Sequence, residues 1–181
     1  MSIRVSIDAS GGDFGFSVTI NAGIRALKTY DDLLINFVGD EVGIKNELNK
    51  NSSYSNFADR IDVTHASEVI NMSDSPSVAL RHKKDSSMRI AINLVKNGDA
   101  DACVSAGNTG ALMSIARFVL KTIKGVDRPA IMSAVPTLTG PTHVLDLGAN
   151  IDSRPSTLLQ FAIMGSIAVQ NTENIENPSV G

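Results

Sequence analysis

Short β-branched runs that stop at polar, glycine-bearing turns, each followed by apolar residues at helical spacing, restrict most severely what this chain can fold into. Residues 3–7 form the first such run and end in the turn formers DASGGD at 8–13. From 17 to 30 the apolar positions Val18, Ala22, Ile24 or Ala26, and Leu27 fall near a helical period, which predicts a helix. The unit recurs, with 33–38 a strand halted by Gly39 and Asp40, 41–49 a helix, 51–56 a polar loop and 61–64 a strand. Beyond a polar connection at 71–77, helices are predicted over 78–83 and from a Ser86 cap to about Gly98. Residues 102–105 read as a small-residue strand and 111–121 as an amphipathic helix closed by Gly125 and Pro129. Strands follow at 130–135 and 144–147, then a helix entered at Pro155 and running to about Val169, and Val180 reads as the entry to another strand.

Strands alternating with helices predict an α/β fold with a mostly parallel sheet covered on both faces. The 181 residues suffice for one such domain, which buries roughly 70% of its unfolded surface, or for a fragment of something larger. With 43% hydrophobic and 19% charged residues the composition is that of a folded globular chain, not of a disordered or fibrous one. A net charge of −3 argues against a general polyanion binder, so no nucleic-acid partner is expected. No apolar run approaches the roughly 20 residues that span a bilayer, and the first run turns acidic at Asp8 before a signal-peptide core forms, so a cytoplasmic location is expected. Cys103 is the single cysteine and reads as part of a buried strand, a catalytic thiol being the alternative. His65, His82 and His143 lack paired metal-ligand spacing, so no metal held by protein ligands and no cofactor is expected.

Ligands of open α/β sheets sit beyond the carboxyl ends of strands, and three loops have the composition for it: 8–13, 105–110 and 146–152. In the middle loop, Ser105, Gly107 and Gly110 let backbone approach a ligand, while Asn108 or Thr109 caps the helix behind; that suits an anion, the alternative being an ordinary glycine turn. Its spacing matches neither GxGxxG nor GxxxxGK[ST]. In the first loop Asp8 and Asp13 flank Gly11 and Gly12, so a carboxylate there orients a nucleophile or takes a proton, or Asp13 merely caps the next helix. In the third, Asn150 and Asp152 position substrate, or Asp152 caps the Pro155 helix. The cluster RHKKDSSMR at 81–89 reads in two ways: as a solvated helix face, or as a phosphate site at Lys84, Ser86 and Ser87 with Arg81, Lys83 and Arg89 attracting an acidic partner.

Six ordered blocks now stand out: DASGGD at 8–13, KKDSSM at 83–88, DACVSAGNTGALM at 101–113, DRPA at 127–130, LDLGANID at 145–152 and QFAIMGS at 160–166. Together they closely resemble the phosphate acyltransferases of bacterial phospholipid synthesis, the PlsX family, over essentially the whole chain. Ser10 stands where that family has Met. The resemblance implies a Rossmann-like three-layer αβα sandwich related to phosphotransacetylases. It also implies transfer of a fatty acyl group from acyl carrier protein to inorganic phosphate, giving acyl phosphate. It implies a homodimer and peripheral attachment to the membrane through a part of the family's length that this chain lacks. On that reading residues 1–181 are the N-terminal part of a single acyltransferase domain, truncated at its C-terminal side.

Phosphate attacks the thioester itself, so no enzyme nucleophile is needed and the protein holds, orients and stabilises. Asp13, Asn108 and Asp152 are the expected catalytic residues, Asn108 or backbone amides stabilising the oxyanion. Gly11, Gly12, Lys84, Ser86, Ser87, Ser105, Gly107, Asn108, Thr109, Gly110 and Asn150 are expected to bind phosphate or substrate, and Arg81, Lys83 and Arg89 to dock the carrier. The alternatives are a phospho-ligand-binding module without catalysis and an inactive fragment.

Overall fold

Ile35 and Phe37 alternate with Asn36 and Val38 along the second strand, and period-2 geometry turns the two sets to opposite faces of a sheet. Helices close on both faces. The protein is described by a computed structural model covering residues 2–138, 140–150 and 152–181; Ile151, within the block at 145–152, lies outside the described residues. The chain divides into two compact units, Met1–Lys121 and Thr122–Gly181.

In the first unit the order is β1 (Ile3–Asp8), α1 (Phe16–Thr29), β2 (Leu33–Gly39), α2 (Glu41–Lys50), β3 (Ile61–His65), α3 (Pro76–His82), α4 (Ser87–Asn97), β4 (Ala102–Ser105) and α5 (Thr109–Leu120). Short 3-10 turns at Tyr54–Asn56 and Ala58–Arg60 occupy the connection between α2 and β3. All strand pairs are parallel and the spatial order is β3-β2-β1-β4. On one face Ile20, Ile24 and Leu27 of α1 and Ile44 and Leu48 of α2 enclose Ile35 and Phe37. On the other, Ala91 of α4 packs with Val38 and Ala66, and Ser6 Oγ donates to Ala91 O at 2.9 Å. Met88 and Ile92 of α4, Ala79 of α3 and Ala111, Ile115 and Val119 of α5 form a further core. Each fully buried Ile, Leu or Phe side chain among these contributes roughly 1.5–3 kcal/mol.

Helix starts follow their capping residues. Asp40 accepts from Gly43 N at 2.8 Å, Ser75 from Val78 N at 3.4 Å and Ser86 from Arg89 N at 3.4 Å. Because Ser75 caps, α3 begins at Pro76, two residues before the apolar pattern suggests.

The second unit holds β5 (Met132–Thr137), β6 (Gly140–Leu145) and α6 (Pro155–Glu173). The two strands pair antiparallel in a sheet of their own, with Met132 opposite Leu145. The predicted strand at 144–147 is thus displaced to Gly140–Leu145, its first half hidden in the sequence by Pro141, Thr142 and His143. Pro is tolerated here because the hairpin has a free edge. Phe161 and Val169 of α6 are buried, and Gly165 packs beside Leu145. Residues 174–181 carry no strand.

Candidate functional site

After β1 the chain lays β2 and β3 outward on one side, then crosses to the other side of β1 for β4. Strand order therefore reverses between β1 and β4, and the loops leaving these two strands flank the crevice where open α/β sheets bind ligands. They are the first two of the three loops expected from the sequence, and the structure brings them into contact.

Asp8 closes β1 with its side chain on the α4 side, 1% exposed. Its Oδ2 accepts from Ser105 Oγ at 2.7 Å, and Ser105 Oγ accepts from Gly107 N at 3.1 Å. Its Oδ1 is buried without a hydrogen-bond partner. A Cβ on Gly11 would stand 2.5 Å from Asp8 Oδ2 and 3.1 Å from the backbone N of Gly107, so only glycine lets the turns meet this closely. Gly12 holds φ +86° against Ala106 O, a conformation that disfavours other residues. Asp13 is exposed and does not cap α1, whose N-cap is Gly15 without a side-chain bond.

Asn108 caps α5, Oδ1 accepting from Ala111 N at 3.0 Å. Its Nδ2 donates to Met72 O at 3.0 Å and Asp74 O at 2.9 Å, tying the 71–74 loop to the turn. Both ends of this amide thus serve the fold, and Thr109 and Gly110 supply the first-turn amides of α5.

The cluster at 81–89 separates into buried and exposed members. Ser86 is fully buried and donates to Lys83 O at 2.8 Å, and Ser87, 1% exposed, donates its N–H to Glu68 O at 3.1 Å. Lys83 Nζ reaches Asp74 Oδ2 and Val69 O, each at 2.6 Å. That ammonium, with the Asn71 N–H, holds the Asp74 carboxyl below its ordinary range. Asp85 is likewise lowered by the Ser67 hydroxyl and N–H. Arg81 and Lys84 are exposed, and the Arg89 guanidinium lies 5.2 Å from the centroid of the Phe118 ring. Met88, one residue before Arg89, would meet a Cβ on Gly107 at 3.0 Å, so the start of α4 abuts the middle turn.

Cys103 is half-buried in β4. Burial pushes its thiol up to about 11, opposed by a bond to Ser6 and aided by the Asp8 charge, so little thiolate exists at neutral pH. Among the described residues no three His, Cys, Asp or Glu side chains gather as a metal site, and no helix is long and apolar enough to cross a membrane.

The third loop belongs to the second unit. Asp146 organises it, Oδ1 accepting from Ile131 N at 2.8 Å and Oδ2 from Asn150 N at 2.7 Å and Asn150 Nδ2 at 3.1 Å. Burial raises this carboxyl, but the N–H donors of Ile131, Asn150 and Ala149 outweigh it and leave the group below its ordinary range. Asn150 Nδ2 also donates to Pro129 O at 3.1 Å. Asp152 is exposed and does not cap α6, whose N-cap is Arg154. It lines a cavity of about 440 Å³ with Asp127, Arg128, Arg154, Ser156 and Thr157. A wider groove of about 920 Å³ runs between the β5–β6 hairpin and α6, with His143 in its wall; His143 Nε2 lies 3.4 Å from Glu173 Oε1 without hydrogen-bonding geometry.

The sequence places Asp8 in the first loop but does not reveal its bond to Ser105, and it does not single out Asp146, Arg128 or Arg154. The signals available were the Asp that ends a β-branched run and an Arg set directly before Pro129 and Pro155.

A parallel sheet flanked by helices, with glycine turns meeting at its switch point, defines a Rossmann-like α/β protein. A model of the fatty acid synthesis protein family matches residues 3–181, and the chain belongs to that family. It is similar to the phosphate acyltransferase of Ruthia magnifica subsp. Calyptogena magnifica, 64% identical over 181 residues, all of this chain and 53% of that protein. Phosphate acyltransferases of Methylococcus capsulatus and Legionella pneumophila (strain Paris) are 56% identical over 177 residues and 54% over 180, covering 98% and 99% of this chain and 52% of each relative. The chain spans about half the length of the curated relatives it matches.

Proposed function

We infer that this chain is the N-terminal part of a single acyltransferase domain that moves a fatty acyl group from acyl carrier protein to inorganic phosphate, yielding acyl phosphate for phospholipid synthesis. The observation that carries this reading is identity above one half, along the whole chain, to proteins named phosphate acyltransferase. The meeting of two glycine turns at a sheet switch point supports it, because that crevice is where such a sheet binds its substrates.

In the reaction a phosphate oxygen attacks the thioester carbonyl, the C–S bond breaks and the phosphate proton ends on the departing thiol. Catalysis then rests on positioning two reactants and on donors aimed at the carbonyl oxygen as it gains charge. The Thr109 and Gly110 amides, at the positive end of the α5 dipole, are those donors. Asp8 and Ser105 fix the turn that presents them, and Asn108 acts as a positioning residue. Asp13, which follows the Gly11–Gly12 turn, orients phosphate or accepts its proton, and Asp152 is the corresponding candidate within the second unit. Arg81 and Lys84, both exposed, with the partly exposed Arg89 form the positive surface for the acidic carrier, Lys83 being paired with Asp74. A homodimer, a cytoplasmic location and peripheral membrane attachment belong to the same reading and rest on the family resemblance.

The test is to incubate the protein with acyl carrier protein thioester and phosphate and trap acyl phosphate as its hydroxamate. Phosphate-dependent hydroxamate is expected, and its absence with every acyl donor tried would end the reading.

A further inference from the structure

Two exposed apolar side chains sit on the loops that touch the 105–110 turn. Phe14, at 76%, is the most exposed aromatic side chain among the described residues, and Met72 is 51% exposed. The 8–13 loop lies against Ala106 and Gly107: a Cβ on Gly11 would stand 3.1 Å from Gly107 N, and one on Gly12 3.0 Å from Ala106 O. Phe14 follows Gly11 by three residues, a span of at most about 11 Å. The 71–74 loop is tied to the next residue of the turn, Asn108 Nδ2 donating to Met72 O at 3.0 Å. A Cβ on Gly110 would stand 2.9 Å from Pro76 Cγ, so apolar surface also borders the first turn of α5.

The arch carrying Phe14 is anchored through its backbone while its ring is left to solvent. Gly12 and Gly15 take φ of +86° and +50° on either side of Asp13 and Phe14, conformations that glycine enters and leaves at low cost. Ser17 Oγ donates to Phe14 O at 2.9 Å, and Thr19 Oγ1 donates to Ala9 O at 2.8 Å and to Gly15 O at 3.1 Å. Phe16, two residues on, packs against the core of α1 and α2. A phenyl ring in water forgoes the burial that ordinarily stabilises it, and an apolar ligand seated on the turn returns that burial.

The chemistry, which rests on the acyltransferase reading, supplies a use for such a cover. A thioester held at the turn loses its acyl group to either of two nucleophiles. Attack by a phosphate oxygen breaks the C–S bond, gives acyl phosphate and leaves the phosphate proton on the thiol. Attack by water breaks the same bond and gives a fatty acid, one water proton going to the sulfur. Amides that polarise the carbonyl assist both attacks equally, so they do not choose between them. Exclusion of water does. We propose that Phe14, with Met72, folds over the acyl carbonyl at the 105–110 turn and keeps water from it, so that the acyl group passes to phosphate.

The full chain, given long-chain acyl carrier protein thioester and phosphate, is assayed for acyl phosphate and free fatty acid in the same reaction. Wild type is expected to form mainly acyl phosphate. Phe14→Ala and Met72→Ala should each raise the ratio of fatty acid to acyl phosphate by about tenfold, the rate equivalent of uncovering part of one apolar side chain. Unfolding midpoints should not move, because both side chains are exposed. Phe14→Leu, which keeps an apolar cover, should hold the ratio near that of wild type. A purely structural Phe14 would change stability or total turnover and leave the ratio alone.

The chain contains no tryptophan, so Phe14→Trp carries a single reporter that reads closure without turnover. Its emission should move to the blue when acyl carrier protein bearing a long-chain alkyl thioether is added with phosphate. An unchanged product ratio in Phe14→Ala or Met72→Ala, or an unmoved emission, would overturn the proposal and leave the acyltransferase reading standing. A wild type that forms no acyl phosphate would end that reading and the proposal with it.

Discussion

Ser105 Oγ donates a 2.7 Å hydrogen bond to Oδ2 of Asp8, linking the tips of β4 and β1 across the place where strand order reverses. Residues 97 positions apart in sequence are thereby fixed at the mouth of the crevice. Asp8 is almost wholly buried, so Ser105 is the donor that compensates its desolvation. The same hydroxyl accepts from Gly107 N and so sets the backbone of the turn.

Ser105→Ala leaves the Asp8 carboxylate with neither oxygen bonded and should cost about 1–3 kcal/mol, whereas Ser105→Thr keeps the hydroxyl and should cost less. Urea unfolding midpoints measure both. Equal midpoints for Ser105→Ala and wild type would mean that this bond carries no stability.

Asn108 holds its cap and its tether through opposite ends of one amide. Asn108→Ser keeps a capping oxygen and loses the donors to Met72 and Asp74; Asn108→Ala loses both. The Ala variant should be less stable than the Ser variant by about 1 kcal/mol, the usual worth of a cap. Acyl transfer should fall in both, since each frees the 71–74 loop from the turn. Full activity in Asn108→Ala with native stability would remove the residue from the site.

Lys83 and Lys84 are neighbours with different work. Lys83→Glu sets two carboxylates together at Asp74 and should lower the unfolding midpoint. Lys84→Glu lies on an exposed position, should leave stability unchanged, and should weaken carrier-protein binding while flattening its salt dependence. Calorimetric titrations at two salt concentrations check this, and unchanged carrier affinity in Lys84→Glu would mean a merely solvated face.

The depressed Asp146 carboxyl makes the second unit acid-sensitive. A group whose folded pKa lies below its unfolded value of about 3.9 adds stability above that value and loses it as pH falls through the folded one. Asp74 and Asp85 act in the same direction. Asp146→Asn should therefore be less stable than wild type at neutral pH, with the two curves converging on acidification below about pH 4. Urea midpoints from pH 2 to 7 read this directly, and parallel curves would assign the acid loss to other groups.

The strand–turn–helix alternation, the parallel sheet and the Ser86 and Asn108 caps were legible because each is a local pattern whose partner lies a few residues away. What periodicity could not convey was the purpose of each polar side chain. Lys83, Ser86 and Asn150 look like ligands in the sequence, yet they bind Asp74 and Val69, Lys83 O, and Asp146 and Pro129, respectively. Only the crossover that places β4 beside β1 gives Asp8 its partner. The β5–β6 hairpin was misread because Pro141, Thr142 and His143 break the apolar run through which a strand is recognised.

β4 is an outer strand, with Val104 54% exposed and its second row of amides and carbonyls unbonded among the described residues. The sheet is thus finished on its helix-covered interior and unfinished along one margin, the margin adjoining the crevice. A strand laid there would extend the sheet beside the 105–110 turn without repacking Phe37 or its neighbours.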